Sequence, residues 1–123
     1  MRKIISFMHI SLDGFVAGPK GEMNWIKVGE ELFDHIGQRI SGTDTALYGR
    51  VTYEMMEGYW PTAGDEPDAS KHDIEHSRWY KNAHKIVLSK SMQDTELANT
   101  TIISDNLAGR INEIKQQPGS EIL

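Results

Sequence analysis

Cysteine is absent from the 123 residues. That excludes disulfides, thiolate metal sites and cysteine nucleophiles, and it fits a reducing cytoplasm, the expected setting. No run of eighteen or more apolar residues occurs either, so no segment has the length of a membrane-crossing helix, and no membrane partner is expected. An excess of positive charge is also missing. The formal net charge is −5, whereas a general nucleic-acid binder needs a basic footprint to displace counterions from phosphates. Met1-Arg2-Lys3 followed by IISFMHISL has the outline of a secretory leader. However, Ser6, His9 and Ser11 interrupt the apolar run and no small-residue cleavage site follows, so it reads as a first strand. Internal repeats and low-complexity tracts are not visible.

What is present is the composition of a single globular domain, 38% hydrophobic and 25% charged. At this length about two-thirds of the unfolded surface can be buried. Residues 3–10 (KIISFMHI) read as a strand covered on both faces. SLDGFVAGPKGEMNW, 11–25, carries Gly14, Gly18, Pro19 and Gly21 and reads as a loop. In VGEELFDHIGQRISG, Val28, Leu32, Phe33, Ile36 and Ile40 fall on one helical face, and Gly42 can end the helix. TALY (45–48) is a second strand and Arg50 to about Glu57 a short helix. Beyond the Pro61–Pro67 loop the pattern predicts a polar helix from about Ser70 to Tyr80. HKIVLS (84–89) and TTIIS (100–104) read as strands. DNLAGRINEIKQQPG reads as a helix stopped by Pro118-Gly119, and EIL (121–123) as a strand just beginning. Strands alternating with helices predict an α/β domain, its mostly parallel central sheet flanked by helices on both faces.

Chemistry has three candidate places. Gly49-Arg50-Val51-Thr52 lies where a strand's carboxyl end meets a helix N-terminus, a position that favours anions. There Gly49 permits close approach, Arg50 can fork onto phosphate oxygens and Thr52 offers a hydroxyl. Alternatively, Thr52 caps the helix and Arg50 is a surface charge. Ser89-Lys90-Ser91 follows the end of another strand, and in open α/β sheets ligands sit outside such ends. Two cations so placed suit a phosphate-rich ligand such as a dinucleotide; an ordinary solvated turn is the alternative. Asp13 follows the first strand, either facing a ligand beneath the Gly-rich loop or closing an Asx-turn.

SLDGFVAG, the loop ending in MNW, LYGRVTYE and KIVLSKSM occur in the order and spacing of the dihydrofolate reductase-like superfamily. Over essentially the whole chain the sequence most resembles the branch containing the reductase domain of riboflavin biosynthesis. The resemblance implies an NADPH-dependent reductase that transfers hydride to a small heterocyclic substrate, riboflavin-precursor-like or pterin-like. It implies that Gly49, Arg50 and Thr52 hold the cofactor phosphates, and that Ser89 and Lys90 cradle the 2′-phosphate and adenosine ribose. Val16, Ala17 and Gly18 would lie against the nicotinamide, with Met23 and Trp25 further along the loop. Asp13 would stand near ring and substrate, with Trp25 also on the substrate side. Glu30 is a loose counterpart of the acid that folate enzymes carry on the first helix, with Asp34 one turn later; both are also explained as helix N-terminal and solvent-face acids. No proton donor stands out. The alternative is a nucleotide-binding module or degenerate reductase without turnover.

Family chains continue past the fifth strand through a Gly-rich turn. Residues 1–123 are therefore expected to form one domain lacking its C-terminal strands, with a small-molecule substrate and a homodimeric assembly. His72-Asp73-Ile74-Glu75-His76 literally matches the H-x-x-E-H helix of one metalloprotease group. With no recognisable third ligand, the expected reading is a solvated helix face and no metal.

Overall fold

In the computed structural model, which describes residues 1–93 and 97–123, the central strands pair in parallel. In chain order the elements are α1 (Glu30–Ser41), β1 (Thr43–Gly49), α2 (Arg50–Glu57), α3 (Trp60–Ala63), α4 (Lys71–Asn82), β2 (His84–Leu88), β3 (Thr100–Ile103), α5 (Leu107–Gln116) and β4 (Glu121–Ile122). The sheet order is β3-β2-β1-β4. β1 pairs with β2 from Thr45↔His84 to Gly49↔Leu88, and β2 with β3 from Lys85↔Thr100 to Leu88↔Ile103. This is the expected α/β architecture; α2, α3 and α4 lie between β1 and β2, and α5 between β3 and β4, as parallel crossovers require.

Local chemistry explains the boundaries. Glu30 and Glu31 sit in the first turn of α1 and Gly42 follows its last residue, the charge bias and stop signal a helix favours. Ser70 caps α4 through a reciprocal box, its hydroxyl accepting from Asp73 N–H while the Asp73 carboxylate accepts from Ser70 N–H. α3 was not anticipated; its Pro61 occupies the helix start, where a missing N–H costs nothing.

One face of the sheet carries α1, α2 and α4. Ile36 and Ile40 of α1, Tyr53 of α2 and Tyr80 of α4 are buried there with Ala46 and Val87. Trp79 Nε1–H donates to the Thr43 carbonyl at 2.9 Å, tying α4 to the start of β1. α5 lies over the other face, where Ile114 and Arg110 line a narrow cleft with Ile86 and Ile103. Lys85 is unusual. It is 4% exposed within β2, and its ammonium donates to the Tyr80 carbonyl at 2.8 Å while lying 4.6 Å from the Tyr80 ring centroid. Burial pushes its pKa down.

The first strand is corrected. Of residues 3–10 only Ile4 makes a bridge, to Ile122, with Ile5 N–H donating to the Ile122 carbonyl. β4 has two residues, and among the described residues no strand pairs with the run beyond Ile5; Met8 and Ile10 are about 60% exposed. The chain start is instead held by Arg2, whose guanidinium donates to Thr45 Oγ1 and the Ser120 carbonyl, each at 2.7 Å, and pairs with Asp44.

Candidate functional site

The carboxyl ends of β1 and β2 come out together because Gly49 and Leu88 are register partners. Gly49 is the N-cap of α2, in extended conformation and without side-chain capping; no acidic residue occupies the first turn. A methyl group added at Gly49 would meet nothing within 4 Å. Arg50, the first helical residue, is exposed and pairs with Glu54 across one turn at 3.0 Å. An exposed pair of this kind contributes only about 0.3–0.5 kcal/mol, little hindrance to exchanging Glu54 for a bound anion. Thr52 does not cap the helix; it lines a cavity described below. Across the ladder, Ser89 N–H donates to the Ile103 carbonyl, and Ser89 Oγ accepts from Ser91 and Met92 N–H. Lys90 is exposed beside it. Gly49, Arg50, Ser89 and Lys90 therefore form one group.

A second group is built by the loop after residue 10. Ser11 Oγ–H donates to the Asp13 carboxylate at 2.7 Å and accepts from Phe15 N–H, closing a tight turn in which Gly14 takes φ +93°. Asp13, Ala17, Gly18 and Trp25 together line an open cleft with Ser11, Phe15 and Pro19. Val16 is exposed on the same loop, as is Met23. Glu30 stands apart from both groups, in a charged surface recess with Asp34, Lys71 and Glu75 at the α1–α4 junction.

Between the N-terminal segment and the helices of one sheet face lies a cavity of about 570 Å³. Val28, Phe33, Ile36 and Ile40 border it from α1 and its approach, Leu47, Tyr48 and Thr52 from β1 and α2, and Trp60, His72, His76 and Trp79 from α3 and α4. Burial pushes the Tyr48 hydroxyl up to about 12, so it remains a neutral donor and acceptor. Among the described residues no Asp, Glu, Lys or Arg lines the space.

The two histidines correct the expected solvated face. His72 stacks on Phe33 with ring centroids 4.1 Å apart, and His76 stacks on Trp60 at 3.9 Å with Trp79 edge-on. Burial drives the His76 pKa down to about 4, helped by neighbouring His72. Burial also lowers His72, against the pull of Asp73 and Glu75. Both imidazoles are thus neutral at pH 7. His76 Nδ1 is sealed from solvent with no hydrogen-bond partner among the described residues, a state that costs on the order of 1–3 kcal/mol. Sequence reasoning missed this pair, although His72, His76, Trp79 and Tyr80 recur at helical spacing and mark an inward face. Among the described residues no three His, Cys, Asp or Glu side chains cluster as a metal site, and no helix is long and apolar enough to cross a membrane.

Comparison with known proteins gives the wider setting. Residues 2–117 match the RibD C-terminal domain. The uncharacterized protein YyaP of Bacillus subtilis (strain 168) is 32% identical over 126 residues, spanning 98% of this chain and 61% of YyaP. A crystal structure from Shewanella sp. PV-4, of a protein provisionally named for riboflavin biosynthesis, aligns with a TM-score of 0.56 at 18% identity. That alignment covers 99% of this chain and 63% of the other, so this chain is shorter than both relatives. At such identity the structural likeness bears on the fold, and it agrees with the dihydrofolate reductase-like architecture.

Proposed function

The chain belongs to the RibD C-terminal domain family, and from that membership we propose that it is an NADPH-dependent reductase acting on a small heterocycle, riboflavin-precursor-like or pterin-like. The observation that carries the reading is the Gly49↔Leu88 pairing, which sets Arg50 beside Ser89 and Lys90 at adjacent strand ends. The residues fit a dinucleotide. The first turn of α2 is uncapped and free of acids, the space at Gly49 is open, and two exposed cations flank it.

Bound NADPH supplies the hydride. The backbone N–H groups after Gly49 and the Arg50 guanidinium hold the pyrophosphate; Lys90 and the Ser89 hydroxyl meet the phosphorylated ribose. Val16, Ala17 and Gly18 cover the nicotinamide from the loop, and Asp13 and Trp25 border the acceptor on the same side. Glu30 serves as an outlying acid rather than a contact in the cavity. Excluding water and fixing the two partners in register is the protein's contribution to rate. In the proposed assembly two copies form a homodimer in the cytoplasm.

The test is loss of NADPH absorbance in the presence of a panel of reducible pteridines, pyrimidines and flavins. Acceptor-dependent NADPH oxidation is expected. Tight NADPH binding with no oxidation by any acceptor would instead mark a nucleotide-binding module without turnover.

A further inference from the structure

Beneath α5, at the end of the sheet away from Gly49 and Leu88, lies the narrow cleft bordered by Ile86, Ile103 and Arg110. Its floor includes Thr45 and His84, the first register pair of the β1–β2 ladder, whereas Gly49↔Leu88 is the last. At about 3.3 Å per residue the two pairs stand about 13 Å apart, so this space is separate from the proposed cofactor group. The cleft encloses about 210 Å³, less than a drug-sized site and enough for one compact molecule.

Its lining is of three kinds. Ile86, Ile103 and Ile114 make an apolar wall. Arg2 and His84 bring hydrogen-bonding groups. The Arg2 side chain is 8% exposed; Nε and Nη2 bond Ser120, Thr45 and Asp44, while Nη1 makes no hydrogen bond among the described residues. His84 Nε2 meets Thr101 Oγ1 at 2.9 Å, and Nδ1 has no such contact among the described residues. Burial, with Lys85 and Arg2 nearby, holds the His84 pKa below its usual value against the pull of Asp44, so the ring is neutral at pH 7. The third kind stands on α5. Arg110 and Glu113 are three residues apart, neighbours on a helix surface, yet among the described residues neither is in an ion pair.

Asp44 already offsets Arg2, so the charges left at the cleft are one of each sign. A simple anion there is opposed by Glu113, and a simple cation by Arg110. A molecule with both charges at one end and an apolar body suits every wall. We propose that this cleft binds a zwitterionic α-amino acid with a short aliphatic side chain. The carboxylate takes Arg110 and Arg2 Nη1, the ammonium takes Glu113, and the side chain lies on the three isoleucines. The site is independent of the reductase reading and survives its failure.

The test titrates L-leucine into the full chain by calorimetry, with 4-methylpentanoate, 3-methylbutylamine and glycine in parallel. The first two controls keep the apolar body and lack one charge each; glycine keeps both charges and lacks the body. Leucine should bind saturably in the low millimolar range or better, with each control at least about tenfold weaker. In NMR spectra leucine should move the His84 ring signals and leave those of His72 and His76 in place. Arg110→Gln should weaken leucine about five- to tenfold, and Glu113→Gln should bring leucine and 4-methylpentanoate within about twofold of each other. Both residues are exposed, so both variants should fold, and the ligand series on the unmodified chain decides without them. Absence of saturable leucine binding up to about 50 mM would overturn the proposal. So would 4-methylpentanoate binding as tightly as leucine, a leucine affinity unmoved by Arg110→Gln, or leucine binding that shifts His76 and spares His84.

Discussion

Gly49 faces Leu88 across the β1–β2 ladder, so Arg50 and Ser89 leave the sheet side by side. Two short motifs separated by a long stretch of chain thereby become one surface. The register itself is what joins them, since a slip of one residue would turn the flanking side chains to opposite faces.

From that surface follows a cofactor preference. NADPH should bind more tightly than NADH, and Arg50→Ala or Lys90→Ala should each cost about 1.5–3 kcal/mol, roughly ten- to hundredfold. Lys90→Ala should narrow the gap between the two cofactors more than Arg50→Ala does. Titration of both nucleotides against the three proteins checks this; equal affinities, unmoved by either change, would count against the site.

Stability should depend on pH through His76. The ordinary imidazole value of 6.5 falls to about 4 in the fold, so between those values the unfolded chain binds the extra proton. Stability is complete above about 6.5 and is lost as pH falls toward 4, by up to about 3 kcal/mol. His72 and His84, also lowered by burial, act in the same direction. Urea unfolding at several pH values should show this slope in the native sequence and a shallower one in His76→Phe.

Ser77 is 1% exposed and holds the Trp60 carbonyl. Ser77→Ala leaves that carbonyl without its partner and should cost on the order of 1–3 kcal/mol. Gly64→Ala brings a methyl group to 3.1 Å from Ser77 Cβ and should also destabilise. The two sites touch, so the double variant should lose a different amount from the sum. Denaturation midpoints of the three variants test the coupling.

Zinc should not be retained. His72 and His76 are engaged face to face with Phe33 and Trp60, and a structural or catalytic site needs at least three protein ligands. Elemental analysis of tag-free protein should find no stoichiometric metal, and His76→Ala should not change the result.

The helices and strands were legible wherever apolar spacing and a punctuating residue coincided. Gly49 ends β1 and opens α2, and Ser70 with Asp73 fixes the start of α4. The N-terminal run failed for a physical reason: apolar residues signal burial, but a strand also needs a neighbour along its length, and β4 offers only Glu121 and Ile122. Of the candidate site, the strand-end residues could be read from position alone. The imidazole face was masked by its own charges: His72-Asp73-Ile74-Glu75-His76 looks solvated, and only the helical spacing of His72, His76, Trp79 and Tyr80 hints at the side that Phe33 and Trp60 cover.

Lys85 is an amine shut inside the sheet, roofed by Tyr80. Acylating reagents attack deprotonated, accessible amines, so the exposed Lys71 and Lys90 are open to them while Lys85 is screened. Modification at Lys85 must then wait for β2 and α4 to part. Mass spectrometry of a timed acylation would read that wait directly, making this one side chain an internal clock for the opening of the domain.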